Sequence, residues 1–519
     1  MEWERMPLGA KCIMIQGTGS SVGKSRIVTG LCRILKQDGF KVAPFKAQNM
    51  ALNSYITREG LEIGRAQATQ AEACGVEPSV LMNPVLLKPT SDKNCQVVLK
   101  GRVYGNLSAM DYHEFKAKLK KVVHEAYEEL KSQYEVIVIE GAGSPAEINL
   151  RENDIVNMGM AEMADAPVVI VGDIDRGGVF ASLYGTVMLL DEKERERVKG
   201  VIINKFRGDV KLLEPGIKML EDLIKRPVLG VVPYDYSYID EEDDPTYEMK
   251  RVRLRNNKAK SVVIKILLLP HISNFTDFVP LSNFENTYIE YVKPGESIGD
   301  ADAVIIPGTK NTIGDFIRVK EWGWDEEIKS LAQKGAVIVG ICGGFQMLGK
   351  IIRDPYGVES EIREVEGIGL LDVETEITKN KVTRKAKGRV LEHEKGLAAH
   401  LSNLEVEGYE IHMGNTTVKE GSETFAAIRR KEDGEEVLDG AVDRTGNIWG
   451  TYLHGIFDRG EFTKRFIDFL SERKGIETSE SKPDFVNFKE EQFDRWAQIL
   501  RNSLDMDAIY RIMGLEPKR

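Results

Sequence analysis

Cys12-Ile13-Met14-Ile15-Gln16 runs straight into Gly17-Thr18-Gly19-Ser20-Ser21-Val22-Gly23-Lys24-Ser25, and that junction decides the fold. The first stretch is a short apolar run of the kind buried in a parallel sheet. The second is a glycine- and serine-rich turn, and Lys24 opens a helical pattern that reaches Asp38. Such a turn aims backbone N–H groups inward at a helix N-terminus, where partial positive charge favours phosphate. Residues Gly17 to Gly23 would supply those amides, Lys24 a point charge for the β- and γ-phosphates, and Ser25 a hydroxyl for Mg²⁺. Five residues rather than four separate Gly17 from Gly23, so the loop is a lengthened variant.

On either side of this unit the same rhythm continues. Lys11–Gln16, Lys41–Phe45, Glu135–Glu140, Pro167–Asp173, Gly200–Asn204 and Val228–Val232 read as buried strands. Lys24–Asp38, Tyr112–Lys131 and Ala181–Arg197 read as the helices between them, which predicts a doubly wound α/β domain with a parallel sheet. Ligands bind at the carboxyl ends of such strands. Glu140 closes one and suits a hard cation. Asp173-Ile174-Asp175-Arg176 closes the next, where Arg176 could grip phosphate or a substrate carboxylate, or pair with an aspartate. Asn204 stands where a nucleotide base would be read.

A second chemistry sits much later. Val337-Ile338-Val339-Gly340-Ile341-Cys342-Gly343-Gly344 reads as strand, tight elbow and helix start, a geometry that exposes a nucleophile and lowers a thiol pKa. A free thiol titrates near ~8.5 and needs a base at neutral pH. His454, just after a strand at Asn447–Tyr452, is the candidate, with His412 as competitor. Gly308, in Pro307-Gly308-Thr309-Lys310, and Gly343 are the expected oxyanion donors. Cys12, Cys32, Cys74 and Cys95 lack such a context and read as structural. A nucleotide site and a thiol site on one chain point to ATP-driven, glutamine-dependent amide formation.

Composition narrows the remaining classes. A chain of 519 residues implies two or three domains. Lysine plus arginine number 71 against 82 acids, a net charge of −11, with no basic stripe for nucleic acid. The five cysteines are scattered without C-x-x-C, which argues against a disulfide framework and a zinc site. Glu2 and Glu4 stand where a leader would be basic, and apolar runs are too short for a bilayer, so the expected location is cytoplasmic, away from membranes. The expected divisions are a P-loop domain at 1–235, a charged linker at 236–260, a second α/β domain at 261–458, with antiparallel strands between Leu371 and Asn447, and a helical tail at 459–519. The linker holds the acidic run Asp240 to Asp244 and the basic stretch Arg251 to Lys260.

Several segments carry a more specific likeness. They are PFKAQNMALN (Pro44–Asn53), EIGRAQA (Glu62–Ala68), MNPVLLKP (Met82–Pro89), EGAGSPAEINLR (Glu140–Arg151), DIDRGGVF (Asp173–Phe180) and GYEIHMG (Gly408–Gly414). Through them the chain resembles the cobyric acid synthase family, from about Lys11 to about Phe457. The resemblance implies a dethiobiotin-synthetase-like P-loop ligase followed by a class I glutaminase. It also implies amidation of four peripheral carboxylates of adenosylcobyrinic a,c-diamide with glutamine and Mg·ATP. Physically, the N-terminal segments are dense in amides and cations, so Lys46, Gln48, Asn49, Asn53, Arg65, Gln67 and Lys88 are the residues expected to line a site for a large polycarboxylate.

Two positions depart from the pattern. Class I glutaminases typically carry a glutamate two residues beyond the histidine, and here that residue is Ile456. The acid that orients His454 is either missing, which leaves a Cys–His dyad, the favoured reading, or supplied from elsewhere, with Asp458 as one candidate. Related ligases carry an aspartate near Gln48-Asn49, so Ser25 and Glu140 alone are expected at Mg²⁺. The rival readings are the a,c-diamide synthase and a partitioning-type regulatory ATPase with an inert thiol domain.

Overall fold

The computed structural model describes residues 9–89, 94–240, 258–430, 434, 436–478 and 485–518. They form two units: the first takes the described residues of 1–51, 62–242 and 489–519, and the second takes 52–61 and those of 243–488.

In the first unit six parallel strands, β1 (Lys11–Gly17), β2 (Val42–Phe45), β3 (Val136–Glu140), β4 (Val168–Asp173), β5 (Val198–Phe206) and β6 (Val228–Pro233), stand in the order β6-β5-β4-β1-β3-β2. Met14 of β1 joins one apolar cluster and Ile13 and Ile15 another, so both faces are covered and the strand is apolar throughout. The strand order reverses about β1, which places the ends of β1, β3 and β4 around one crevice. A small four-stranded sheet joins Gln48–Met50, Val85–Pro89, Asn94–Leu99 and Arg102–Ser108.

The helix expected over Ala181–Arg197 is instead two, Val179–Leu189 and Glu192–Arg197. The cause is local: the Asp191 side chain accepts from the Glu194 N–H while Glu194 reaches back to the Asp191 N–H, a capping box that starts a new helix.

Residues 459–519, expected as one tail, divide. Gly460–Lys474 buries Phe462, Phe466, Ile467 and Leu470 in the core of the second unit. From Lys489 the helix Phe485–Ser503, followed by Met506–Met513, packs on the first unit through Phe493, Trp496, Leu500, Leu504 and Tyr510. Its partner there is the phosphate-loop helix Lys24–Gln37. A Cβ at Gly30 of that helix would lie 2.3 Å from Leu500 and 2.9 Å from Trp496, so only glycine admits the contact. The Trp496 indole N–H donates to the Arg26 carbonyl at 2.7 Å, and the Arg26 guanidinium lies over its ring.

The expected linker at 236–260 begins inside the first unit. Ser237, Tyr238, Ile239 and Asp240 are buried. Asp240 accepts from Arg65 Nε at 3.2 Å, Lys489 Nζ at 3.2 Å and Thr69 Oγ1 at 2.9 Å. Burial alone would raise its pKa, and Lys489 and Arg65 outweigh it, so the carboxyl is held below its ordinary range. The acidic run from Glu241 and the basic one to Asn257 lie outside the described residues.

The second unit has a mixed sheet of β7 (Val262–Leu267), β8 (Thr287–Val292), β9 (Ala303–Ile306), β10 (Val337–Ile341), β11 (Ser422–Glu423), β12 (Ala441–Asp443) and β13 (Ile448–Thr451), in the order β8-β7-β9-β10-β13-β12-β11. Its first five members are parallel; apolar runs mark β7, β9 and β10, whereas β8 is not read from the sequence. Between Leu371 and Asn447 the expected antiparallel strands appear as a second sheet, built on the long pair Val373–Val390 and Glu405–Val418. The strand Leu453–His454 joins its edge, with His454 opposite Tyr409. No helix among the described residues is long and apolar enough to cross a membrane.

Candidate active site

Cys342 stands between β10 and the helix Gly343–Leu348 with φ 52 and ψ −107, a left-handed conformation that a non-glycine residue holds only under constraint. Its N–H donates to the Thr451 carbonyl at 2.8 Å, which ties the elbow to β13. Its Sγ lies 3.5 Å from the Ile411 carbonyl. The strand carrying Ile411 also pairs with His454 through Tyr409, and the Tyr409 ring stacks on the imidazole at 5.4 Å.

The acid beside His454 is Asp277, from the turn Phe275–Asn283 that follows β7. Asp277 Oδ2 lies 2.6 Å from His454 Nδ1, and its Oδ1 accepts the Gly455 N–H at 3.1 Å. Of the two sequence readings, a Cys–His dyad or an acid supplied from elsewhere, the structure shows the second, with Asp277 rather than Asp458 beside His454. A carboxylate 177 residues away in sequence has no spacing signal. The available cue is Ser273-Asn274-Phe275-Thr276-Asp277 at the carboxyl end of an apolar strand. Burial disfavours the charged imidazole, but Asp277 and then Cys342 outweigh it and push His454 up to about 10. His454 Nε2 is buried with no hydrogen-bond partner among the described residues.

Both nitrogens of the competitor His412 are engaged, Nδ1 at 2.8 Å from the Gly414 carbonyl and Nε2 at 3.3 Å from Glu410. Burial would raise Glu410, yet His412 and Arg430 hold it down to about 2. Gly308 lies against the histidine, where a Cβ would come within 2.9 Å of His454 Cε1. A Cβ on Gly343 would meet Thr309 at 2.7 Å, so both expected oxyanion glycines border the elbow. The sequence reading missed a buried polar chain running through the helix that follows the elbow: Thr312 Oγ1 donates to Gln346 Oε1 at 3.0 Å, and Gln346 Nε2 donates to the Tyr452 hydroxyl at 3.1 Å. Gln346 lies four residues past Cys342, so motif position alone could have flagged it.

In the first unit the loop Gly17, Thr18, Gly19, Ser20, Ser21, Val22 and Gly23 wraps from β1 to its helix. Lys24 Nζ donates to the Gly19 carbonyl at 2.7 Å and the Gly143 carbonyl at 3.0 Å, so it reaches across the loop mouth. Ser25 Oγ donates to Glu140 Oε1 at 2.9 Å. Hydroxyl and carboxylate thus meet at a helix N-terminus, a donor pair that fits Mg²⁺ completed by phosphate oxygens and water. Among the described residues no cluster of three His, Cys, Asp or Glu side chains offers an all-protein metal site. Lys46 Nζ also donates to Glu140 Oε1 at 2.9 Å and Gln70 Nε2 donates to Oε2 at 2.5 Å; burial would raise Glu140, and Lys46 holds it low. Asn204, expected to read a base, donates to the Val22 carbonyl at 2.9 Å and braces the loop.

The cations expected to face a polycarboxylate are mostly turned onto buried acids. Lys46 meets Glu140, Arg65 meets Asp240, and Lys88 meets Glu62 at 2.7 Å. A lone cation cannot be buried cheaply, so each brings its own counter-charge. Asn49 donates to Gln67 Oε1 at 3.0 Å. Gln48 is half-buried, while the Arg176 side chain is 72% exposed, 3.9 Å from Asp173. Asn53 lies in the second unit instead.

Comparison with known proteins agrees with this layout. Residues 13–245 match the CobQ/CobB/MinD/ParA nucleotide binding domain, and residues 263–462 match the CobB/CobQ-like glutamine amidotransferase domain. The chain is 57% identical over 503 residues to cobyric acid synthase of Caldanaerobacter subterraneus subsp. tengcongensis, covering 96% of this chain and 98% of the relative. It is 54% identical to that of Thermoanaerobacter sp., with the same coverage. To that of Clostridium acetobutylicum it is 53% identical over 507 residues, covering 98% and 99%.

Proposed function

The chain belongs to the cobyric acid synthase family, a group of ATP-dependent glutamine amidotransferases, and from that membership we propose its reaction and the residues that perform it. It amidates the b, d, e and g carboxylates of adenosylcobyrinic acid a,c-diamide with ammonia from glutamine and energy from ATP, and releases cobyric acid. With five free cysteines among the described residues, a reducing cytoplasm is its setting.

The buried His454, its Nδ1 held by Asp277 and its Nε2 open, is the observation that carries the ammonia half. Cys342 Sγ attacks the glutamine side-chain carbonyl, and the N–H groups beside Gly343 and Gly308 take the developing oxyanion. Asp277 keeps the ring oriented while His454 passes the proton given up by the Cys342 thiol to the amide nitrogen, which leaves as ammonia. Water then attacks the thioester, glutamate leaves and the thiol is restored.

At the other site Lys24 and the amides of residues 17–23 hold the ATP phosphates. Ser25 and Glu140 would hold Mg²⁺, which would supply neutralisation of the phosphate charge. A corrinoid carboxylate accepts the γ-phosphoryl group, ADP leaves, and ammonia displaces phosphate from the acyl phosphate. Gln48 and Arg176 face the corrinoid; Lys46, Asn49, Arg65, Gln67 and Lys88 stiffen the surrounding wall.

Mass spectrometry of adenosylcobyrinic a,c-diamide incubated with enzyme, Mg·ATP and amide-¹⁵N glutamine tests the reading. Four successive exchanges of hydroxyl for labelled amide are expected. Amidation of cobyrinic acid at a and c would give the reaction to the diamide synthases, and ATP turnover without label transfer would favour a regulatory ATPase.

A further inference from the structure

The segment 52–61 is flanked in sequence by Ala51 and Glu62 of the first unit, yet it is part of the second. There it grips Asn274. The Asn274 backbone N–H donates to Asn53 Oδ1 at 2.5 Å, and the Ser54 backbone N–H donates to Asn274 Oδ1 at 3.0 Å. All three residues are fully buried. Asn274 stands at φ 54 and ψ 39, in the left-handed region, where an asparagine needs local support. It opens the turn that carries Asp277, and its carbonyl accepts the Asp277 N–H at 3.0 Å. Its Nδ2 lies 3.5 Å from His454 Nδ1, the nitrogen held by Asp277.

Resting on the assignment of Cys342 and His454 as the glutaminase pair, we propose that Asn53 and Asn274 are positioning residues of the thiol site. The clasp sets the left-handed turn, the turn sets Asp277, and Asp277 sets the His454 ring. Asn53, whose place in sequence suggested the polycarboxylate site, thus serves ammonia release. The chain lends ten residues of its ligase half to the machinery that supplies the nucleophile.

Full-length Asn53→Ala, Asn53→Asp, Asn274→Ala, Asn274→Gly and Tyr55→Phe test this by glutamine-hydrolysis kinetics across pH. Misplacement of catalytic groups by about 1 Å costs on the order of 10²-fold, so Asn53→Ala should lower kcat roughly 10- to 100-fold while KM for glutamine stays within about threefold. Its alkaline limb should move to lower pH. Asn53→Asp keeps the acceptor oxygen and should recover most of the rate. Asn274→Gly, which takes the turn without strain, should exceed Asn274→Ala. Tyr55→Phe, in the same segment, removes the hydroxyl that accepts from Lys385 Nζ at 2.9 Å, leaves the Asn53–Asn274 clasp in place and should match wild type. An unchanged kcat in Asn53→Ala, an effect on KM alone, or a loss that Asn53→Asp does not recover would overturn the proposal. Cys342→Ala is run alongside: if it still hydrolyses glutamine, the thiol assignment itself fails, a distinct result.

Discussion

The phosphate site and the thiol site share a strand–turn–helix frame, but they are assembled in opposite ways. The first draws its loop, lysine and serine from the contiguous residues 17–25, with Glu140 as one distant addition. The second, as proposed, draws on Cys342, His454, Asp277, Asn274 and Asn53 from separate stretches, and each is held by a contact that spans at least 177 residues or by the elbow itself. Phosphate is bound by backbone amides, which a local turn can aim. A thiol–imidazole–carboxylate relay needs side chains at fixed angles, and a single segment cannot provide them.

The contrast can be broken most sharply at the nucleophile. Cys342→Ala should abolish glutamine hydrolysis, by on the order of 10⁴-fold or more, while amidation from added ammonium salts persists. If both activities fell together, the two sites would not be separable. Lys24→Ala should do the converse, lowering ATP-dependent amidation roughly 10²- to 10³-fold and sparing glutamine hydrolysis, measured as glutamate release without ATP.

Asp277→Asn tests whether the distant carboxylate governs the histidine. Its negative charge is the main influence raising His454 from 6.5 to about 10, so the protonated ring is retained below the folded value and lost as pH rises through it. The variant should lose roughly 10²- to 10³-fold in hydrolysis, and its alkaline limb should fall from near 10 toward 6.5. A limb that stays put would assign the shift elsewhere.

The smallest effect asks how local the phosphate site is. Its helix leans on Trp496 and Leu500 at Gly30, so Gly30→Val should overpack that contact and cost about 1–3 kcal/mol of stability in denaturant titrations. A neutral result would mean that the C-terminal helices are not a brace for the loop.

Much of this was legible in residue order. Apolar runs located β1 to β7, β9 and β10, because strands buried on both faces must be apolar throughout, whereas β8 was not legible because Thr287 and Glu290 interrupt its apolar run. Gly17–Ser25 and Gly340–Gly344 marked both turns, because each confines its chemistry to a few neighbours. The break at Asp191 was also local and was overlooked, since the helical period continues through it while the Asp191–Glu194 capping box does not show in periodicity. Lys46, Arg65 and Lys88 read as candidate ligands in the sequence, which shows each charge without the acid beside it. Only folding brings Glu140, Asp240 and Glu62 to them.

The sequence alone determined two α/β units, a lengthened phosphate loop and a cysteine elbow, all of which follow from short-range periodicity and turn chemistry. Tertiary structure decided that Asp277 lies against His454, that residues 52–61 belong to the second unit and that the helices from Lys489 onward pack on the first. The reason is range: backbone preference acts over a few residues, whereas the pairing of buried charges and polar groups depends on which distant segments the core brings within hydrogen-bond reach.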